Sequence, residues 1–123
     1  MGRRILLVED DELIRLSVAE LLEEAGFIVI AAESGDAAAE QMDRSSFDLL
    51  LTDLQMPGRL NGVGLAMRAR CRHPDLPIVI MTGRPDALAD LGRLGDREAL
   101  LPKPFRAGDV LAALRPLLGQ PEG

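Results

Sequence analysis

Short apolar runs alternate with stretches of helical periodicity along the whole chain. Ile5-Leu6-Leu7-Val8 is a continuous apolar run, which predicts a strand buried on both faces. Ile14, Val18, Leu21, Leu22 and Ala25 then recur at helical spacing and predict a helix over 13–25. Gly26 stands where a left-handed helix stop is common. Residues 27–32 are apolar and β-branched and predict a second strand. Ser34 offers a cap to a helix over 36–44, and a third buried strand over 47–52 ends at Asp53. Met56-Pro57-Gly58-Arg59-Leu60-Asn61-Gly62 is turn chemistry. A helix over 63–72 follows, then a proline-flanked break at 73–77 and a fourth strand over 78–82. A helix over 85–94 fits the pattern, although Gly92 and Gly95 weaken it. A short fifth strand over 99–101 leads to a last helix over 107–118, which Pro116 should end or kink. Residues 120–123 read as a disordered tail, leaving one domain over 1–119 with no internal repeat.

Strands alternating with helices in this way predict an α/β fold, with a parallel sheet covered on both faces and right-handed crossovers. The small fold that fits best is the flavodoxin-like doubly wound sheet, five strands in the order 2-1-3-4-5 with five helices. Function in such sheets gathers at the carboxyl ends of the strands.

Composition narrows the function classes. The chain has 123 residues, enough for one domain with a real core. Apolar residues make up 47% and charged residues 28%, an ordinary globular balance. With Phe27, Phe47 and Phe105 as its aromatics, the core must be aliphatic. The net charge of −6 and the lack of a basic cluster argue against direct nucleic-acid binding. Cys71 is the one cysteine, so neither an internal disulfide nor a cysteine-rich metal site is expected. His73, before Pro74, reads as a loop residue outside the chemistry. No apolar run is long enough to span a bilayer, and the N-terminus lacks a signal-peptide pattern. The expected address is the cytoplasm.

The strand ends carry the chemistry. The first strand runs into Glu9-Asp10-Asp11, the third ends at Asp53, the fourth at Thr82-Gly83, and the fifth leads to Lys103-Pro104. Each has an ordinary reading alone: a helix cap, helix-start charge, a strand end, a surface lysine. Together, on one rim, they form a coherent set. Clustered carboxylates repel one another, and a hard divalent cation such as Mg²⁺ relieves that repulsion with oxygen ligands. A lysine and a threonine hydroxyl would hold further oxygens of a phosphoryl group. Asp53 is the natural nucleophile, since carboxylates form acyl phosphates.

Leu7-Val8-Glu9-Asp10-Asp11, Asp53 with Met56-Pro57 and Gly62, Thr82-Gly83 and Lys103-Pro104-Phe105 form an ordered set. By this set, which covers nearly the whole chain, the sequence resembles the receiver domain of bacterial two-component response regulators, the chemotaxis-regulator-like domain. The resemblance implies that Asp53 is the phosphoacceptor. It implies Asp10 as main acidic ligand of Mg²⁺, Glu9 as its partner through water, and the backbone carbonyl of Gln55 as a further ligand beside Asp53. Thr82 would move to bond the phosphoryl group, Lys103 would pair with one of its oxygens, and the Lys103-Pro104 peptide would be cis. The donor would be a phosphohistidine of a histidine kinase or hybrid sensor kinase. The output would pass through a downstream protein, with the helix at 85–94 and the fifth strand as the usual readout surface. A phosphorylation-linked dimer is compatible with this picture, and neither nucleic acid nor membrane is an expected partner.

Some positions depart from the family pattern. Leu100 stands where relatives often carry an aromatic switch residue. The turn after Met56-Pro57 is one residue longer than the commonest form. Arg106 replaces a frequent capping Asp. Arg84 and Gln55 occupy positions that tune phosphoryl lifetime in the family. Three other functions compete. An aspartyl-phosphate hydrolase would place a general-acid Asp where Gln55 stands. An interaction module that kept only the fold should have lost Asp53, an acidic-pair member or Lys103. A flavodoxin would want a phosphate-binding loop where Glu9-Asp10-Asp11 would repel phosphate. No second domain is expected in these residues, so the module should act through a partner protein or be the excised receiver of a larger kinase or regulator.

Overall fold

A computed structural model of the chain describes residues 2–56, 60–84, 86, 92 and 94–118. The strands are β1 (Arg4–Val8), β2 (Ile28–Ala32), β3 (Leu49–Asp53), β4 (Ile78–Thr82) and β5 (Glu98–Pro102). The helices among the described residues are α1 (Glu12–Glu24), α2 (Gly35–Arg44), α3 (Gly62–Arg72) and α4 (Ala107–Leu118). Four helices therefore stand where five are expected; the helix anticipated over 85–94 falls mostly on residues outside the described set, as does the tail at 120–123.

All strand pairs are parallel, and the sheet order is β2-β1-β3-β4-β5. Alternate strand residues feed two cores. Leu6, Val8, Leu50, Ile78 and Ile80 pack with Ala38 and Met42 of α2 and Leu65, Ala66 and Ala69 of α3. Ile5, Leu7, Leu49, Leu51, Val79 and Met81 pack with Val18 and Leu22 of α1 and Val110 and Leu114 of α4. β3 and β4, covered on both faces, are buried throughout. β2 is an edge strand and is buried only at its end, Ala32. This is why its pattern reads less cleanly than that of β3.

Local signals act as their chemistry requires. The Ser34 side chain accepts from the Ala37 N–H at 3.1 Å and caps α2. Gly26 follows α1 with φ of 100°, the left-handed stop. α4 runs on to Leu118 with Pro116 inside it, so the proline does not end the helix where it stands. It sits in the final turn, where few backbone bonds remain to be lost. No helix among the described residues is long and apolar enough to cross a membrane.

Candidate functional site

The sheet register sets the rim. Val8 lies beside Thr52, Asp53 beside Met81 and Thr82 beside Pro102. The ladder continues one step past the strands: Glu9 N–H donates to Ala32 O at 3.1 Å, Leu54 N–H to Met81 O at 2.9 Å and Lys103 N–H to Thr82 O at 2.8 Å. These bonds carry Glu9, Asp53 and Lys103 to one edge although 94 positions separate Glu9 from Lys103.

Gly62 brings the start of α3 against this edge. A Cβ at Gly62 would overlap the Asp53 carbonyl oxygen, so the close approach requires glycine. The same carbonyl accepts from the buried Thr52 hydroxyl at 2.9 Å. The backbone of the acidic turn is thus held from two sides.

Lys103 is the hub. Its Nζ donates to Glu9 Oε1 at 3.0 Å and to Asp53 Oδ2 at 3.1 Å. Asp53 Oδ1 accepts from the Gln55 N–H at 3.3 Å. Ligand oxygens of Glu9, Asp10 and Asp53 lie within 4.8 Å of one another, with Glu9 and Asp53 buried and Asp10 exposed. Asp11 lies apart from this group: its side chain accepts from Ile14 N–H at 3.1 Å and caps α1, in keeping with helix-start charge. The Lys103-Pro104 peptide is cis.

The electrostatics follow from one cation shared by two buried carboxylates. Burial, and then the neighbouring Asp53, push the Glu9 carboxyl up to about 7, while Lys103 pulls it down. Burial also acts to lower Lys103, but its bonds to Glu9 and Asp53 outweigh this and hold the ammonium above its ordinary value. Among the described residues, Glu9 Oε2 is a buried side-chain oxygen with no hydrogen-bond partner. A bare buried carboxylate oxygen is costly.

Thr82 is buried and its hydroxyl is engaged with its own loop. Oγ1 accepts from Arg84 N–H at 2.9 Å and lies 3.2 Å from the Arg84 carbonyl, to which it donates. The Arg84 side chain is exposed and pairs with Asp86 at 3.6 Å. Leu100 is half-buried on β5. One residue of the rim goes unnoticed in the sequence: Arg15 of α1, whose Nη1 donates to the Glu9 carbonyl oxygen at 2.9 Å.

Comparison with known proteins finds similarity along nearly the whole chain. The family model described as the response regulator receiver domain matches residues 5–115. The response regulator receiver protein CpdR of Brucella abortus is 37% identical over 117 residues, covering 94% of this chain and 97% of that protein. The transcriptional regulatory protein CpxR of Escherichia coli is 38% identical over 116 residues, covering 94% of this chain but 49% of that protein. The chain thus spans nearly all of one relative and about half of the other. Among solved structures, a response regulator receiver protein from Sinorhizobium medicae superposes with a TM-score of 0.87 at 30% identity, covering 95% of this chain and 94% of that one. The response regulator TrrA from Thermotoga maritima, solved in complex with Mg²⁺-BeF, superposes with a TM-score of 0.80 at 26% identity over 94% of this chain and 99% of that one. The chain belongs to the response regulator receiver domain family of two-component signalling.

Proposed function

We propose that the rim accepts a phosphoryl group on Asp53 in a Mg²⁺-dependent reaction, and that the acyl phosphate drives a conformational signal to a partner protein. The observation that carries this reading is the Lys103 ammonium bonded to both Glu9 and Asp53, with Asp10 completing an all-oxygen acidic group. That donor set, with one buried Glu9 oxygen otherwise unpartnered among the described residues, suits a hard divalent cation. Glu9, Asp10, Asp53 and the backbone carbonyl of Gln55 would hold Mg²⁺. When bound, it would neutralise the carboxylates and the charge on the transferred phosphoryl group.

The donor is a phosphohistidine of a histidine kinase. A carboxylate oxygen of Asp53 forms the new P–O bond as the P–N bond breaks, and the imidazole keeps the electron pair and takes up a proton. Lys103 exchanges its bond to Asp53 for one to a phosphoryl oxygen, so its charge is already in place. The Thr82 hydroxyl leaves the Arg84 backbone for a second oxygen, and that exchange reshapes the loop after β4. With Leu100 at the usual aromatic position, the loop itself carries the signal. Hydrolysis of the acyl phosphate by water resets the domain, and in this role the chain is a switch rather than a metabolic enzyme. Its place is the cytoplasm, and it passes its signal to the protein it docks with.

The test is the intact mass of the chain after incubation with acetyl phosphate, with and without Mg²⁺, for wild type and Asp53→Asn. The expected result is one Mg²⁺-dependent phosphoryl adduct in wild type and none in the variant. An adduct that survives Asp53→Asn removes the assignment.

A further inference from the structure

The Glu9 peptide units are held from both ends. The N–H donates to Ala32 O of β2 at 3.1 Å, and the C=O accepts from Arg15 Nη1 at 2.9 Å. Glu9 is fully buried, so a carbonyl left unmet there would bear its full desolvation cost. The partner comes from the next helix rather than from a neighbouring strand.

Arg15 stands in an electrostatically awkward place. It is the fourth residue of α1, counted from Glu12. The first turn of a helix carries partial positive charge, so a cation is disfavoured there. A guanidinium turned back onto a carbonyl at the acidic rim offsets that cost.

The carbonyl that Arg15 holds belongs to the planar peptide joining Glu9 to Asp10. Holding its oxygen fixes the plane, and the plane fixes the direction in which the chain enters Asp10. Asp10 is exposed, yet a ligand oxygen of its carboxylate lies within 4.8 Å of those of Glu9 and Asp53. An exposed side chain keeps that place most readily when its backbone is held.

We propose that Arg15 is a positioning residue for the acidic rim: by bonding the Glu9 carbonyl it orients the turn after β1 so that the Glu9 and Asp10 carboxylates converge on Asp53, and so sets the affinity for a divalent cation. The inference rests on the Mg²⁺-dependent reading above. Groups that orient metal ligands typically change affinity by about ten- to a hundredfold when removed.

The experiment uses the full chain and Mg²⁺ alone as probe, with wild type, Arg15→Lys and Arg15→Met. Arg15→Met is expected to bind Mg²⁺ about tenfold more weakly. Arg15→Lys falls between the two, since an ammonium can still donate one bond. Labelling by acetyl phosphate returns to the wild-type rate once Mg²⁺ saturates, and in Mg²⁺-free protein the carbon-13 shift of the Asp10 carboxyl moves in Arg15→Met. Wild-type Mg²⁺ affinity in folded Arg15→Met overturns the inference. So does slow labelling that persists at saturating Mg²⁺, the mark of a purely structural loss. Where Arg15→Met fails to fold, wild-type affinity in Arg15→Lys overturns it equally. A wild type that binds no Mg²⁺ and takes no phosphoryl group defeats the reading of the rim and this inference with it, whereas a defect confined to the variants supports the inference.

Discussion

Asp48 and Asp53 bracket β3, and the two ends use the same side chain in opposite ways. At the amino end, Asp48 Oδ2 accepts from the Arg4 N–H at 2.7 Å, while Arg4 Nε donates to Ser46 O at 3.0 Å and its guanidinium lies 5.3 Å from the centre of the Phe47 ring. Nearby, Arg70 meets Glu98 in a two-pronged pair at 2.6 and 2.8 Å. That pairing holds the Glu98 carboxyl below its ordinary value. These polar groups have their own partners and tie elements together. At the carboxyl end, three carboxylates converge and two of them share one lysine. The amino end is arranged for stability. The carboxyl end keeps an excess of carboxylates over cations, the imbalance that the proposed divalent cation would relieve.

The sharpest way to break this contrast is to make one substitution at both ends. Asp53→Asn should abolish the phosphoryl adduct while leaving the fold intact, whereas Asp48→Asn should label at the wild-type rate. Equal labelling of the two variants would erase the distinction. Next in size is Lys103→Met, which leaves the Glu9 and Asp53 carboxylates without their cation. In the absence of Mg²⁺ it should lower stability by about 3 kcal/mol at pH 8, the low end for breaking a buried ion pair because Lys103 is partly exposed. The loss should shrink at pH 5, where Glu9 carries a proton, and denaturant titrations at both values would show it.

The pH dependence of the metal-free chain is the third test. Glu9 binds its proton more tightly folded, at about 7, than at the ordinary value of 4.5. Between these values the folded state holds the extra proton, so stability falls as pH rises through the window, by at most about 1.4 kcal/mol per pH unit. Glu98, held low by Arg70, acts in the opposite sense and elsewhere: its contribution is present above 4.5 and is lost as pH falls below that. Glu9→Gln should flatten the slope between 4.5 and 7 and leave the acid limb in place; an unchanged slope would show that another group titrates there. The smallest effect belongs to Asp48→Ala, about 1 kcal/mol for the lost bond to the Arg4 N–H, with Mg²⁺ affinity unaltered.

Much of this fold is determined by the sequence alone. Parallel strands buried on both faces must be apolar throughout, so β1, β3 and β4 announce themselves, and the polar residue that ends each run must lie at the rim. Ser34 and Gly26 mark helix ends because capping is local chemistry. The acidic pair, Asp53, Thr82 and Lys103 were legible for the same reason, as strand ends in a fixed order. What only the tertiary structure decided concerns partners that are distant in the chain. That Lys103 bridges Glu9 and Asp53, that Thr82 turns its hydroxyl onto Arg84, that Asp48 is held by the Arg4 backbone, and that Arg15 reaches back to Glu9 cannot be read from residue type. Spacing places a side chain on an edge. Its partner is set by which other elements packing brings within hydrogen-bond distance, and only the folded sheet brings positions 9, 53 and 103 together.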